Sequence, residues 1–286
     1  MKTAIATDTN SGISFEEAEK AGIYLIPMPI IIDNRIYYEN VDLSHRDFFE
    51  KQAQGLSIST TQPAPGDIMN LWDELLKEYD NVIYIPMSSG LSGSCQSAMI
   101  FAEEYNGRVT VIDNHRISVT QRSSVYSAKE LADQGLDPSK IKKKLEDLAY
   151  ESSIYITVNT MEYLKKGGRI TASAAAIATV LNIKPVLSIM GDKLDSYAKV
   201  RGMKKARRLM IDTIKKELSE KYSHYPAQRI EIGTAGSHVN PGDLDEWTET
   251  VRKEFPGYTI VSAPLALSIA VHIGPDCEGI AAIVKC

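Results

Sequence analysis

The sequence predicts an α/β protein: a doubly wound parallel sheet over residues 1–160, then a second, mixed α/β domain over residues 161–286. Three observations lead there. Short apolar runs alternate with helical patterns through the first half, which calls for parallel strands and right-handed crossovers. The composition then shifts, as Lys166-Gly167-Gly168-Arg169-Ile170 opens an Ala-rich segment. Beyond it, strands and helices no longer alternate strictly. A chain of 286 residues, 43% hydrophobic and 24% charged, suits two modest domains with real cores. The boundary near 160 is placed to within about ten residues.

In order along the chain, Lys2 to Thr7 reads as a strand that ends at the turn-rich Asp8-Thr9-Asn10-Ser11-Gly12. Phe15 to Ala21 reads as a short helix stopped by Gly22. Ile23 to Ile32 is a long apolar run broken by Pro27 and Pro29, hence an irregular strand near an edge. Residues 65–79 place Ile68, Leu71, Trp72, Leu75, Leu76 and Tyr79 on one face of an amphipathic helix. Val82 to Met87 is a buried strand feeding Ser88-Ser89-Gly90-Leu91-Ser92-Gly93, and Ser94 to Tyr105 a helix that buries Cys95, Ala98, Met99 and Ala102. A strand over Val109 to Asp113 follows, then helices over 118–133 and 138–150 and a strand over Ile154 to Val158. The second half shows the Ala-rich segment Thr171 to Leu181 and a hairpin over Val186 to Lys199 turning at Gly191-Asp192. Helices over 203–221 and 242–254 and strands near 229–234, 258–262 and 279–284 complete it.

Composition removes several functions. A net charge of −5 argues against a nucleic-acid partner, which needs a basic face. The start Met1-Lys2-Thr3-Ala4-Ile5-Ala6-Thr7-Asp8 is too short and polar for a secretory signal, and no apolar run approaches the ~20 residues of a membrane span. A cytoplasmic protein is expected. Cys95, Cys277 and Cys286 lack the spacing of a disulfide framework or zinc site, so reduced thiols and no metal are expected. Phosphate-binding loops, a dinucleotide fingerprint, H-E-x-x-H and the G-x-S-x-G elbow are all missing, so no catalytic residue and no cofactor is assigned.

Two hydroxyl-rich turns stand out: Ser59-Thr60-Thr61-Gln62-Pro63 and the 88–93 turn, each directly before a helix. Helix N-termini favour anions, and in a doubly wound sheet such turns lie on the carboxyl edge, where ligands bind. Hydroxyl donors without a nearby acid or base suit holding a carboxylate. The plain alternative is that Thr60, Thr61 and Ser92 only cap helices. Arg169, leaving a double-Gly turn, can bring its planar fork to the same anion, or it makes a surface ion pair. His272, before Gly274-Pro275, is either an ordinary structural residue or a ring held in place by a tight turn. Ala172 to Ala178 either permits close helix packing or lines a slot for an unbranched ligand.

These residues resemble the DegV family. The resemblance lies in Asp8-Thr9-Asn10-Ser11-Gly12, both hydroxyl turns, Leu164-Lys165-Lys166-Gly167-Gly168-Arg169-Ile170, Val200-Arg201-Gly202 and His272-Ile273-Gly274-Pro275, in order across the whole chain. It implies a two-domain fold with a long-chain fatty acid (palmitate, stearate or oleate) buried between the domains. It also implies a non-catalytic role: the bound carboxylate is presented to a separate fatty acid kinase catalytic subunit that makes acyl phosphate for phospholipid synthesis, with room for transient contact with a membrane surface. Carried over, Thr60 and Ser92 are the carboxylate contacts, with Thr61, Arg169 and His272 in the same polar network. Ser89, Gly90 and Gly93 belong to the pocket turn, and Arg201 meets the kinase. The chain departs from the family pattern at Thr61, where Ser is usual, and at Asp276, where a Gly is usual and a carboxylate now stands near the expected acid site. Two competing readings use the same parts: a lipid-sensing regulator, and a serine hydrolase with Ser89 or Ser92 as nucleophile and His272 as base.

Overall fold

The computed structural model describes residues 2–176 and 183–286. The chain runs β1 (Thr3–Asp8), α1 (Phe15–Ala21), β2 (Ile23–Ile26), β3 (Pro29–Ile32), β4 (Arg35–Tyr38), α2 (His45–Ala53) and β5 (Ile58–Thr60). It continues through α3 (Pro65–Leu75), β6 (Asn81–Ile85), α4 (Ser94–Ala102), β7 (Val109–Val111), α5 (Val119–Asp133) and α6 (Pro138–Asp147). Next come β8 (Ser152–Thr157), α7 (Glu162–Gly167), α8 (Ala172–Ala175), β9 (Ile183–Ile189), β10 (Asp195–Arg201) and α9 (Met203–Ser219). The chain closes with β11 (Ile230–Gly236), α10 (Gly242–Glu254), β12 (Thr259–Pro264), α11 (Leu267–Ile273) and β13 (Glu278–Val284).

Local chemistry sets many of these limits. Ser14 accepts the Glu17 amide while Glu17 reaches back to Ser14, a reciprocal cap that starts α1, and Gly22 at φ 64° ends it. The proline-broken run over Ile23 to Ile32 does not stay one strand. β2 is an edge of the parallel sheet, whereas β3 turns away after Pro27 and becomes the centre of a separate antiparallel sheet. β3 and β4 are joined through Asp33 and Asn34, both at positive φ, the conformation tight hairpins need.

The first sheet has the order β2-β1-β6-β7, all parallel. Ile68, Trp72, Leu75, Cys95 and Ala98 of α3 and α4 cover one face. Ala18, Val125, Ala128, Ile141 and Leu145 of α1, α5 and α6 cover the other. The second sheet has the order β10-β9-β8-β13-β11-β12 and is mixed. Its outer face packs under α9 and α10 around Met210, Ile214, Trp247 and Val251. The third, β4-β3-β5, packs on α2 and α11 through Ile30, Phe48, Phe49, Leu267 and Ala270. β8 precedes the expected boundary near 160 yet pairs with β9 and β13, so sheet membership changes between α6 and β8.

Arg116 ties the two larger layers together. It is buried, and its guanidinium donates to the carbonyls of Leu148 and Val284 and to Ser124 Oγ. Burial depresses its pKa to about 10, which leaves it charged at neutral pH. Part of the Ala-rich stretch, Ile177 and Ala178, lies outside the described residues. Of the rest, Ala174 is buried in the core with Ala175 packed beside it, Ala172 and Ala176 are exposed, and none of these four lines the main cavity.

Candidate functional site

β1, β6 and β7 all point their carboxyl ends toward the open face of the six-stranded sheet. A cavity of about 370 Å³ lies between them. Its walls come from both sides: Leu91, Ile117 and Val119 from the first layer, and Ile156, Ile189, Leu194 and Ala281 from the second. That volume sits in the usual range of ligand pockets, about 300–1,000 Å³.

One end of the cavity is polar. Thr60, Thr61, Ser92, Gly93, Arg169 and His272 all line it. Thr60 Oγ1 lies 2.9 Å from His272 Nε2, across 212 positions of sequence. Thr60, Arg169 and His272 also line an adjoining groove of about 500 Å³ with Lys166 and Tyr163, so these three stand between the interior and the outside. Ser97 Oγ donates to Gln62 Oε1 at 3.0 Å, which fastens the first hydroxyl turn to the start of α4, just after the second.

Each side chain has a structural reason for its place. His272 is in the last turn of α11, a helix the sequence reading did not anticipate. Its ring packs on Gly167, where a Cβ would come within 2.6 Å of Nδ1. Gly274, at φ 80°, lies under the Tyr163 ring, where a Cβ would come within 2.4 Å. The two glycines thus let α7 and α11 approach closely enough to fix the imidazole. Gly168, at φ 67°, caps α7 and releases Arg169 toward the cavity, its Nη1 donating to the Gly167 carbonyl.

Burial, with the Arg169 charge in second place, lowers the His272 pKa to about 4, so the ring is neutral at pH 7. A neutral ring with its proton on Nε2 donates to Thr60 Oγ1, leaving the Thr60 hydroxyl proton free for an acceptor in the cavity. With the Arg169 guanidinium, and with Ser92, whose hydroxyl here donates to Ser94 Oγ, the end presents polar groups and one positive charge. It is built to meet an anion.

The capping explanation fails for the first turn. The N-cap of α3 is Ala64, without a side-chain cap bond, and Thr60 is the last residue of β5. It is therefore carried to the site by the small antiparallel sheet and not by the carboxyl edge of the parallel one. Ser92 does bond locally, accepting the Ser94 amide at 3.2 Å and donating to Ser94 Oγ at 3.0 Å. Ser89 and Gly90 stand behind the cavity: the Ser89 amide donates to Asp113 Oδ1, and Gly90 packs on the Gly191-Asp192 turn. Arg201 is exposed at the end of β10 and does not line the cavity. Asp276 does not add its charge to the site; it sits at φ 55° and accepts the Val239 amide at 3.3 Å.

Three lining residues were not singled out from sequence. Asn10 and Ser268 are joined by a 2.7 Å hydrogen bond, and Ser118 holds φ 55° at the start of α5. Asn10 lay within a turn already marked; nothing in the sequence distinguishes Ser118 or Ser268. Behind them Asp8 is buried, accepting from Met87 N and Gln121 Nε2, and burial raises its pKa. Among the described residues no group of three or more acidic, His or Cys side chains is placed to hold a metal. No described helix is long and apolar enough to cross a membrane.

The cavity, apolar along its walls and polar at one end, thus lies between the two larger sheets of an α/β fold. The DegV family model matches residues 2–285, and the chain belongs to the DegV family. A DegV domain-containing protein of Deinococcus radiodurans is 29% identical over 282 residues, covering 98% of each chain. A solved DegV family protein of Thermus thermophilus, described by its fatty acid binding, superposes with a TM-score of 0.88 at 28% identity, covering 99% of this chain and 100% of that one. DegV of Bacillus subtilis, described as a fatty acid binding protein, gives 0.85 at 27% identity with full coverage of both chains.

Proposed function

We propose that this protein binds one long-chain fatty acid in the cavity and presents its carboxylate to a separate fatty acid kinase catalytic subunit. The observation that carries this reading is the pairing of an apolar cavity with Thr60, His272, Arg169 and Ser92 at its one polar end. The fatty acid binding of the Thermus and Bacillus proteins supports the same ligand class. In this reading Thr60 donates to the carboxylate, Ser92 turns its hydroxyl from Ser94 Oγ to do the same, Thr61 and Arg169 complete the shell, and His272 fixes the Thr60 hydroxyl.

The energetics are consistent. Burying a palmitate chain at about 0.8 kcal/mol per CH₂ supplies on the order of 10 kcal/mol, enough for tight binding after ordering costs. An unpaired carboxylate would cancel much of that, and the donor set offsets the loss. The adjoining groove gives a partner access to the acid end without opening the hydrocarbon part. Arg201, exposed and away from the cavity, is free to meet that partner. A hydrolase is disfavoured: His272 Nε2 is committed to Thr60, and a ring with a pKa near 4 is a poor base at pH 7.

The test is lipid extraction and native mass spectrometry of protein purified from cells, then mixing with a fatty acid kinase catalytic subunit, ATP and Mg²⁺. The expected results are a co-purifying fatty acid and its conversion to acyl phosphate. Protein without lipid, and unable to take it up, would overturn the ligand class. Bound lipid that is never phosphorylated would make the chain a lipid sensor instead. Ser92→Ala should fold normally and retain less lipid.

A further inference from the structure

We infer that Gly279 sets the room for the ligand's hydrocarbon chain, which takes the place that a side chain at this position would fill. This rests on the fatty-acid reading above and deepens it. Gly279 lies in β13, inside the six-stranded sheet, paired with Ala235 of β11 on one side and Ile156 of β8 on the other. Glycine is a poor choice for such a position, because it loses more conformational freedom on folding than any other residue and packs nothing. A central strand keeps one for a bulge, for a special backbone angle, for a close-packed neighbour or for a ligand.

The first three reasons fail here. The ladder runs through Gly279 in unbroken register with both neighbouring strands. Its φ is not positive. A Cβ on Gly279 would have Tyr155 O at 3.5 Å, Ala235 O at 3.7 Å and Ile156 Cγ1 at 3.8 Å as its nearest neighbours, all ordinary contact distances. The other two glycines of this sheet, both in β11, are different. A Cβ on Gly233 would lie 2.6 Å from Val119 Cγ2, and one on Gly236 would lie 2.6 Å from His238 Cδ2. Protein atoms stand over those two glycines, and none stands so close over Gly279.

What lies over it is the cavity. Cys277, Ala281 and Ile283 alternate with Ile280, Ala282 and Val284 along β13; the first set belongs to the core around the cavity, the second to the core under α9 and α10. Gly279 falls in the first set and lines the cavity with Ala235 and Ala281, beside the larger Ile154 and Ile156 of β8. The floor thus drops by the depth of a side chain where it passes from β8 to β13. The polar end is near: Cys277, about 7 Å back along the strand, donates from its thiol to the carbonyl of Ile273, the residue after His272. A chain whose acid group is held at His272 and Thr60 enters the cavity over this trough. Gly279 therefore leaves the empty fold less stable than alanine would, and gives the chain its depth.

The experiment uses delipidated full-length protein as wild type, Gly279→Ala and Gly279→Val. Each is melted without ligand, and each is titrated with palmitate against a fluorescent fatty acid. Empty Gly279→Ala should melt at or above the wild-type temperature, since alanine has less freedom to lose on folding. It should bind palmitate about fourfold more weakly, one buried methylene's worth. Gly279→Val should bind about fiftyfold more weakly, in step with its larger side chain. An alanine variant that melts lower when empty would make the glycine a packing requirement. One that binds palmitate as tightly as wild type would show that the chain does not rest there. Either result would overturn the inference while leaving the fatty-acid reading in place, whereas failure of the wild type to bind palmitate would remove both.

Discussion

The two hydroxyl turns look alike in sequence and are supported in opposite ways. Thr60 ends a strand of the small antiparallel sheet, and its hydroxyl is oriented by a histidine from the far end of the chain. Ser92 follows β6 of the parallel sheet, and its hydroxyl is oriented by its own neighbour, Ser94. The second turn is instead held from outside: Ser88 Oγ donates to the Gly191 carbonyl, and Gly90 lies flat against the hairpin turn of the opposite layer. The geometry of one donor therefore depends on a side-chain pair, that of the other on backbone packing. They are expected to fail differently.

The largest effect is expected at the second turn. A Cβ on Gly90 would lie 2.9 Å from the Asp192 Cα and the Gly191 carbonyl, which cannot swing aside. Gly90→Val should cost about 3 kcal/mol or more in chemical denaturation. Gly93→Ala, whose nearest neighbour would be Gln62 Oε1 at 3.9 Å, should cost less than about 1 kcal/mol. Equal costs would mean that the hairpin does not clamp the turn.

Next in size is the pH response of the first turn, which alone is coupled to a titrating ring. His272 has a folded pKa of about 4, against 6.5 for an unhindered ring. Between those values the unfolded chain binds the extra proton, so stability present above pH 6.5 is lost as pH falls toward 4. Glu39, raised by burial to about 7, has the opposite slope over part of this range, so the readout is the difference between wild type and His272→Gln. Wild type should lose about 2–3 kcal/mol relative to the variant between pH 7 and pH 4. A constant difference would show that the ring is not held neutral.

The smallest effects separate the two hydroxyls directly. Thr60→Val keeps the shape but leaves His272 Nε2 without its partner, and should cost about 1–2 kcal/mol of stability. Ser92→Ala loses only local bonds and should cost less than about 1 kcal/mol, while both weaken lipid retention. If Ser92→Ala proved the more destabilising, the division between tertiary and local support would be wrong.

The parallel sheet was legible because its signals are local: Gly22 after an apolar helix face, and buried runs such as Val82 to Ile85 feeding a turn. The hairpin over β9 and β10 was legible for the same reason. What was missed is the small sheet and α11, which carry Thr60 and His272. The stretch from Ile36 to Ile58 lacks strong periodicity, and its strands are only three or four residues long, so its order comes from packing on α11 near the other end of the chain. The residues of the acid site were readable as types, Ser, Thr, Arg and His. Their assembly was not, since it depends on glycines at 167 and 274 that only close helix packing explains. Ser118 was invisible, because a positive φ at a serine leaves no mark in composition.

β13 sits at the centre of the six-stranded sheet, between β8 and β11, and Arg116 donates to Val284 at its end. During synthesis β8 and its hairpin partners emerge well before the strand that must sit beside them. Until then the newborn chain exposes a bare, apolar sheet edge, a site prone to wrong pairings. The six-stranded sheet thus cannot be completed until β13 is threaded between β8 and β11, and loss of that strand would leave both neighbours unpaired on that side.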